Sequence, residues 1–303
     1  MELNTIKLIL KKPELIFFWL GKKGLLGWMS DEAFLKISYR LSMKRKLNLK
    51  EPKTYNEKLQ WLKLHDRNPQ YSRMVDKHDA KLYIAQRVGE QYIVPTLGVW
   101  DSFDQIDFGS LPEQFVLKTV HDCGGVVICH DKQKLDKAEA KRFLEQHQKT
   151  NYYIYQREWP YKGVKPRILA EEYMKDAATG ELRDYKFFCF DGEPKALFIA
   201  SERQAAGETK FDFFDMDFNH MDVRNGHPNA AVPPAKPACF EEMKKLAAKL
   251  SAGIPHLRVD FYEMNGKLYV GELTFYHWSG LVPFEPEHWD ETFGSWITLR
   301  SNA

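Results

Sequence analysis

The sequence predicts an α+β protein with a helical N-terminal region followed by regions rich in antiparallel strands. Patterns that start helices occur before residue 73, and two turn dipeptides typical of β-hairpins, Asp191-Gly192 and Asn265-Gly266, occur well after it. A chain of 303 residues can bury a sizeable core and divide into two or three units around one site.

The composition is that of an ordinary globular protein. Its formal net charge is only +2, so no global field attracts nucleic acid, and no nucleic-acid partner is expected. Its four cysteines form no CxxC pair and lack zinc-site spacing. We therefore expect a cytoplasmic protein with reduced thiols and without a signal peptide.

An apolar run at residues 15–21 lies between two pairs of lysines and is too short to span a bilayer. Two interpretations remain open for this segment. Lysines and a tryptophan beside an apolar face suit peripheral membrane contact through residues 11–23, at the inner face of the membrane. The lack of a long amphipathic repeat favours instead a helix that packs on the core or on another subunit.

Three regions follow from the pattern along the chain: a helical N-terminal region at 1–73, a first lobe at 74–167 and a second lobe at 168–303. In the first region, Ser30-Asp31-Glu32 is expected to open one helix. The segment Thr54-Tyr55-Asn56-Glu57 has the form of a capping box and is expected to open another.

The first lobe is predicted to contain a helix at Asp76–Arg87, an extended segment at Tyr92–Pro95 and a helix near Lys137–Lys149. Between them, Phe115–Cys129 is expected to form a β-hairpin with a glycine-rich tip.

Strands dominate the second lobe, and Asp212–Asp222 is expected to be an acidic loop. The predicted strands are Arg167–Met174, Tyr185–Phe190, Lys195–Ala200, Leu257–Glu263 and Lys267–Leu273.

The last predicted hairpin carries the clearest chemistry. Strand alternation places Arg258, Asp260 and Tyr262 on one face, and Glu272 and Thr274 share a face of the partner strand. A tight turn lets the two carboxylates converge, and such a pair is a hard oxygen site for Mg²⁺. A solvent-exposed acidic face is the alternative, but the apolar residues around the pair argue against it.

Three other segments are ambiguous when taken singly. Lys118 ends a strand before Gly124-Gly125, where it could reach a phosphate under the loop amides, although such endings are common. Asp76–Lys81 starts a helix and could equally be a solvated charged turn. Ile168–Met174 could hinge two lobes and bind adenine, or could simply end in solubilising acids.

The order of these segments resembles the ATP-grasp superfamily, with a layout like that of the D-alanine–D-alanine ligases. More narrowly, the chain resembles the TupA-like family, named for teichuronopeptide synthesis, over about residues 30–299. The segments that carry this resemblance are Tyr55–Trp61, Phe115–Lys118, Glu158–Tyr161, Asp184–Phe187 and Gly271–Phe275.

The resemblance implies an ATP-grasp fold in which two α+β lobes grip ATP behind a helical N-terminal extension, with ATP and Mg²⁺ as cofactors. It also assigns roles to matching residues. Phosphates would be bound by Lys77 and Lys118 under a flexible loop with Gly124 and Gly125. The adenine pocket would be lined by Glu171, Glu172, Tyr173 and Met174. Mg²⁺ would be bound by Asp260, Glu272 and Thr274, and the catalytic cations would be Arg258, Lys186 and Arg203.

One departure from the family pattern concerns the metal. Most ATP-grasp enzymes carry Asn two residues after the bridging Glu, whereas this chain has Thr274. A hydroxyl can ligate Mg²⁺ or hold a water, but it lacks the amide carbonyl, so the number of metal ions stays open.

The function implied by the resemblance is an ATP-dependent carboxylate–amine ligase that acts through an acyl phosphate. The family's association with capsule and surface polysaccharide suggests a uronic-acid carboxylate and an amino acid or other amine as substrates. One alternative is a glycosyltransferase of the same pathway, with Asp215 and Asp217 as a DxD metal site. A catalytically silent binding protein is a second, and the presence of Lys77, Lys118 and the two carboxylates argues against it.

Overall fold

The computed structural model describes residues 13–175, 183–202 and 208–300. Within them, helices occupy the first part of the chain, and two larger antiparallel sheets, a two-stranded ladder and further helices follow. The helices before the first strand are α1 (Pro13–Lys22), α2 (Asp31–Met43), α3 (Tyr55–His65), α4 (Gln70–Val75) and α5 (Asp79–Val88).

The two helix starts predicted in the N-terminal region, after Ser30 and after Thr54, are confirmed. The Ser30 hydroxyl accepts from the Ala33 amide at 3.3 Å at the start of α2. At the start of α3, Thr54 and Glu57 form both halves of a capping box. Each cap provides a partner for helix-end amides that have none within the helix, so these starts are set by local sequence.

The N-terminal helix α1 packs on the protein with one face and leaves the other open. The Phe17 ring lies 5.0 Å from that of Phe34 on α2. Opposite, Leu15 and Trp19 are exposed, and Trp28 in the following turn is 82% exposed. Within the described residues, none of the helices is both long and apolar enough to cross a bilayer.

The smaller sheet has four strands in the order β1-β4-β2-β3. They are β1 (Thr96–Trp100), β2 (Phe115–Thr119), β3 (Val126–Cys129) and β4 (Ile168–Glu172). The predicted hairpin is confirmed by the β2–β3 ladder, in which Phe115 faces Cys129. Helix α6 (Lys137–Gln148) packs on this hairpin, and the short helix α7 (Tyr152–Gln156) follows it. Strand β4 pairs with β1 and β2 although it follows the proposed boundary at residue 167.

The larger sheet has six strands in the order β11-β10-β5-β6-β7-β8. They are β5 (Asp184–Phe190), β6 (Glu193–Ser201), β7 (Lys210–Asp215), β8 (His220–Met221), β10 (Leu257–Met264) and β11 (Lys267–Thr274). A two-stranded ladder joins β9 (Arg224–Asn225) to β12 (Phe284–Glu285), and α8 (Phe240–Ser251) and α9 (His288–Trp296) are the last two α-helices in the described part of the chain.

Aromatic side chains fill the core around the larger sheet. Helix α8 packs on β5, β6 and β10, where Phe240 lies 5.9 Å from Phe187. Helix α9 packs on α3, and Phe293 lies 5.3 Å from Phe188. An isolated β-bridge pairs Ile93, which precedes β1, with Val270 on β11. It connects the segment before the smaller sheet to the larger sheet.

The prediction of an acidic loop at Asp212–Asp222 is wrong. Its first residues belong to β7, whose Phe213 and Phe214 are buried in the core. The buried Asp212 carboxylate is compatible with this strand because it lies 3.1 Å from His220 and accepts from the Ala230 amide. The Asp212 carboxylate is therefore paired inside the fold, whereas Asp217 and Asp222 are exposed.

Candidate active site

Strand register brings the two predicted metal carboxylates together. Asp260 on β10 lies directly opposite Glu272 on β11, and Arg258 lies opposite Thr274. On its other side β10 pairs with β5, which places Lys186 opposite Asp260. The expected convergence is thus confirmed, with a register shift between Asp260 and Phe261 that sets the pairing, and the exposed acidic face is excluded because Asp260 is 1% exposed.

Asp260 is held by two cations. Arg258 donates to both carboxylate oxygens, at 2.7 Å from Nε and 2.8 Å from Nη2, and Lys186 Nζ donates to Oδ2. Burial works against ionisation, but the two cations outweigh it and lower the Asp260 pKa. A carboxylate offers about four acceptor positions, so these contacts leave Oδ1 able to bind a cation beside Glu272.

A hydrogen-bonded chain orients Arg258. Its Nη1 donates to His277 Nδ1 at 2.6 Å, and His277 Nε2 then donates to Asn225 Oδ1 at 2.9 Å. Burial and the adjacent Arg258 charge lower the His277 pKa well below its ordinary value, so the imidazole is neutral and accepts from the guanidinium. The Thr274 hydroxyl is also an acceptor for Arg258, at 3.0 Å. Sequence patterns gave no signal for His277 or Asn225.

The predicted phosphate lysine Lys77 contacts the glycine loop. Its amide donates to the Val120 carbonyl at 3.0 Å, and its ammonium donates to the Asp122 carbonyl. The preceding Asp76 fixes this turn, because its Oδ1 accepts the amides of His78 and Asp79. Helix α5 thus begins at Asp79, three residues later than expected.

Both loop glycines are required by the geometry. Gly124 has φ +95°, in the left-handed region that L-residues rarely adopt. A Cβ on Gly125 would lie 1.9 Å from Thr119 Oγ1 and 2.9 Å from Asp122 Oδ1. The hydroxyl of Thr119 donates to that Asp122 carboxylate, which also pairs with His147 on α6. The loop is therefore closely packed at its base.

Two lysines share the buried carboxylate at the end of β4. Lys118 lies 2.6 Å and Lys81 lies 2.7 Å from Glu171. Burial opposes ionisation, but both lysines outweigh it and lower the Glu171 pKa. Lys81, within a charged turn noted in the sequence, was not identified as a site residue.

The other residues predicted for the adenine pocket follow Glu171 directly in the sequence. Glu172 is exposed, whereas Tyr173 and Met174 are half-buried. The Tyr173 ring contacts His130 at 4.9 Å. The predicted Arg203 lies outside the described residues.

A second buried polar cluster lies beside Glu272, and sequence reasoning missed it. Lys63 on α3 is 1% exposed and donates to Ser279 Oγ at 2.7 Å and Ser279 O at 2.8 Å. Glu158 is 4% exposed and belongs to a segment, Glu158–Tyr161, that was noted only for its family resemblance. Burial raises the Glu158 pKa to about 7, with Glu272 adding to this effect and Lys63 opposing it.

Asp215, one of the two aspartates of the alternative DxD metal site, has a structural role. Asp215 ends β7 and caps the turn to β8, since its Oδ1 accepts the amides of Asp217 and Asn219. Its Oδ2 accepts from the Asn219 side-chain amide at 2.9 Å. These bonds account for an aspartate at this position without a metal.

A family model described as TupA-like ATP-grasp matches residues 57–298. The chain belongs to the TupA-like ATP-grasp family. The family and the ATP-grasp fold predicted from the sequence are thereby confirmed, and ATP with Mg²⁺ is the cofactor pair of this fold family. No curated protein matches the sequence.

Solved structures similar to this TupA-like ATP-grasp chain include three ligases. The D-alanine–D-alanine ligase of Bacillus anthracis with ATP is 16% identical, with 67% of this chain and 53% of that chain covered and a TM-score of 0.38. The Helicobacter pylori enzyme is 14% identical, with 83% and 68% covered and a TM-score of 0.45. The ATP-grasp ligase PsnB, with Mg and ADP, is 10% identical, with 68% and 52% covered and a TM-score of 0.40. This chain thus spans about half the length of the first of them.

Proposed function

We propose that this protein is an ATP-dependent carboxylate–amine ligase. The observation that carries the proposal is the ladder position shared by Asp260, Glu272 and Lys186, with Arg258 bridging to it. The glycine loop lies within electrostatic range of Glu272. Cys123 at its tip is solvent-exposed, yet the surrounding protein and the Glu272 charge raise the pKa of its thiol.

Each group has a chemical task in this proposal. Lys77 and the loop amides hold the ATP phosphates, and Arg258 and Lys186 offset charge on the transferred phosphoryl group. Asp260 and Glu272 hold Mg²⁺, which when bound neutralises phosphate charge. Catalysis in such a site is positioning and electrostatics, so it needs no nucleophilic side chain.

The substrate class that we propose follows from the family. A uronic-acid carboxylate attacks the γ-phosphate of ATP and forms an acyl phosphate, which an amino acid or other amine then converts to an amide. Surface-polysaccharide assembly is the pathway that this pair of substrates suggests.

ADP release is expected to require ATP, Mg²⁺, a uronic acid and an amino acid together. The measurement is ADP formation across a panel of both substrates, with the product mass equal to the two substrates less one water. Hydroxylamine in place of the amine should trap the acyl phosphate as a hydroxamate. ATP with Mg²⁺ should also raise the melting temperature, because a ligand that binds only the folded state stabilises it.

Two outcomes would contradict this function. A phosphorylated sugar that forms equally with and without an amine would indicate a kinase with the same fold. Stabilisation by a UDP-sugar with Mn²⁺ but not by ATP would favour the glycosyltransferase, and Asp217 would then be the residue to replace.

We also propose that the N-terminal region contacts an anionic membrane surface. Five large apolar residues are exposed within a short stretch: Leu15, Trp19, Leu25, Trp28 and Ile37. The exposed Lys22 and Lys23 lie among them, and tryptophan with lysine suits the headgroup region.

The double variant Trp19→Ser/Trp28→Ser is expected to lose at least about tenfold in binding to anionic vesicles, because each tryptophan buries apolar area in the interface. Co-sedimentation with anionic and zwitterionic phospholipid vesicles measures this. Val232→Ser is the matched control, since Val232 is 81% exposed and lies far along the chain. Equal vesicle binding by the wild type, the double variant and Val232→Ser would contradict membrane contact. A molar mass that rises with protein concentration in light scattering would support a subunit contact instead.

A further inference from the structure

A cavity of about 340 Å³ lies where β9 meets β12. Its volume is within the range of pockets that bind small molecules. The polar lining residues are Arg224, His227 and Glu285, and the apolar ones are Pro228, Val282 and Pro283. The cavity thus has the mixed lining of a small-molecule site, in which apolar walls surround a few polar groups.

Asn225 joins this cavity to the candidate active site. Its side-chain amide donates to the carbonyls of Val282 at 3.2 Å and of Pro283 at 3.0 Å. Its Oδ1 accepts from His277, the residue that orients Arg258. One side chain therefore fixes a wall of the cavity and also the hydrogen-bonded chain that ends at the proposed catalytic arginine.

A row of aromatic rings leads from Arg258 to the cavity. The Phe198 ring lies 6.0 Å from the Arg258 guanidinium and 4.4 Å from the ring of Phe211. Phe211 in turn lies 4.5 Å from the ring of His227, which lines the cavity. The cavity is therefore on the same side of the larger sheet as Arg258, and two rings separate its lining from the guanidinium.

The indole of Trp278 adjoins the cavity and is 41% exposed. Its backbone has φ 49°, and the next residue, Ser279, has φ 56°, a conformation that costs L-residues free energy. Lys63 and Gln60 on α3 donate to the Ser279 carbonyl and brace this segment. Gly226 in the cavity wall lets the indole approach, since a Cβ there would lie 3.1 Å from the indole Nε1. The fold thus maintains an exposed aromatic side chain beside the cavity.

The polar groups of the cavity offer both donors and acceptors. Arg224 and Glu285 lie opposite each other on the β9–β12 ladder and pair at 3.2 Å. Both side chains are more than half exposed, so their pair contributes little stability and can rearrange around a ligand. The Nδ1 atom of His227 is buried and has no hydrogen-bond partner among the described residues, and the Glu208 carboxylate is 3.7 Å away. A ligand hydroxyl can satisfy such an atom.

A sugar ring fits this set of groups better than an amine does. The C–H groups of a pyranose pack on apolar and aromatic surfaces, and its hydroxyls both donate and accept hydrogen bonds. The Arg224 charge would oppose an ammonium group, and the paired Glu285 removes the net positive charge that would attract a free anion. The lining therefore favours a hydroxyl-rich ring over a small ion.

We propose that this cavity binds the sugar ring of the carboxylate substrate. This inference rests on the ligase function proposed above and gives the ring a site of its own, beside the proposed ATP and metal groups. Trp278 packs on the ring, while Arg224, Glu285 and His227 exchange hydrogen bonds with its hydroxyls. The carboxylate of the substrate extends from the cavity toward Arg258. Recognition of the ring makes the cavity a determinant of substrate specificity.

Arg224→Ala and Trp278→Ala are each expected to raise the Kd for a uronic acid by about tenfold, because each removes one side chain that contacts the ring. The probes are D-glucuronate and D-galacturonate, with a non-hydrolysable ATP analogue and Mg²⁺ present. A titration followed by saturation-transfer NMR measures the Kd without turnover. Trp278→Phe should keep most of the affinity, since it retains an aromatic face. Arg300→Ala is the matched control, because Arg300 is equally exposed and pairs with the surface carboxylate of Asp191.

Three outcomes would overturn the sugar site. They are the absence of uronic-acid binding to wild type, unchanged affinity in both alanine variants, and a loss of affinity for the amino acid instead of the sugar. In turnover assays, both alanine variants should raise KM for the uronic acid more than they lower kcat, with KM for ATP unchanged. Failure of the ligase function is distinguishable. Sugar binding that depends on Arg224 and Trp278, without ADP or hydroxamate from any uronic acid, would overturn the ligase and retain the site.

Discussion

Glu272→Gln is expected to abolish ADP formation with little change in the free energy of unfolding, whereas Asp260→Asn should reduce both. Each change removes a charge from the proposed metal site at nearly constant volume. Only Asp260 is also the buried counter-ion of Arg258 and Lys186. Removing one partner of such a buried ion pair costs about 3–5 kcal/mol, so Asp260→Asn should also unfold at a lower urea concentration.

Steady-state ADP release and urea unfolding measure the two effects separately. Glu263→Gln is a matched control, because Glu263 is a half-buried carboxylate on the same strand as Asp260 and pairs with Leu268 rather than with the site. Near-wild-type turnover in Glu272→Gln would show that the metal site is wrongly assigned. Unchanged stability in Asp260→Asn would show that its ion pairs contribute little to folding.

Arg258→Ala is expected to lower turnover by about 10²–10³, the loss typical when one group that stabilises developing charge is removed. Affinity for ATP should change much less, because the charge that Arg258 meets develops mainly in the transition state. Arg258→Lys should recover little of the loss. A lysine keeps the charge but lacks the planar fork that donates to Asp260, His277 and Thr274.

The two constants kcat and KM for ATP distinguish this role from simple binding. Arg87→Ala is the control, since Arg87 is an exposed arginine that lies over the Tyr83 ring, away from the site. A large rise in KM for ATP with unchanged turnover would mean that Arg258 only binds the nucleotide. Melting temperatures of Arg258→Ala and Arg258→Lys show whether loss of the partner of Asp260 also lowers the stability of the fold.

Local sequence was sufficient wherever a structure is completed within a few residues. The capping box at Thr54 and Glu57 depends on groups three residues apart. The hairpin turn at Asn265-Gly266 joins β10 to β11, and both residues have positive φ, at 51° and 76°. That turn brings Asp260 and Glu272 onto neighbouring strands, so their proximity was predictable, but a register shift between Asp260 and Phe261 is what places Asp260 directly opposite Glu272.

Pairing between distant segments was not predictable in the same way. Acidic residues in Asp212–Asp222 indicated a loop, because the sequence does not show that Asp212 meets His220 and Ala230 inside the fold. Likewise, Lys118 on β2 and Lys81 on α5 come from different elements and meet on Glu171 of β4, which pairs with β2.

The sequence by itself determined the fold family, the capped helix starts after Ser30 and Thr54, and the hairpins, including the one that carries both carboxylates, since each depends on period, turn or motif within a short stretch. Only the tertiary structure decided which charges share a partner. The chain Arg258–His277–Asn225 and the cluster of Lys63, Glu158 and Ser279 each join separate elements. A buried charge is stable only when distant groups enclose and balance it, and that balance exists only after the strands and helices have packed.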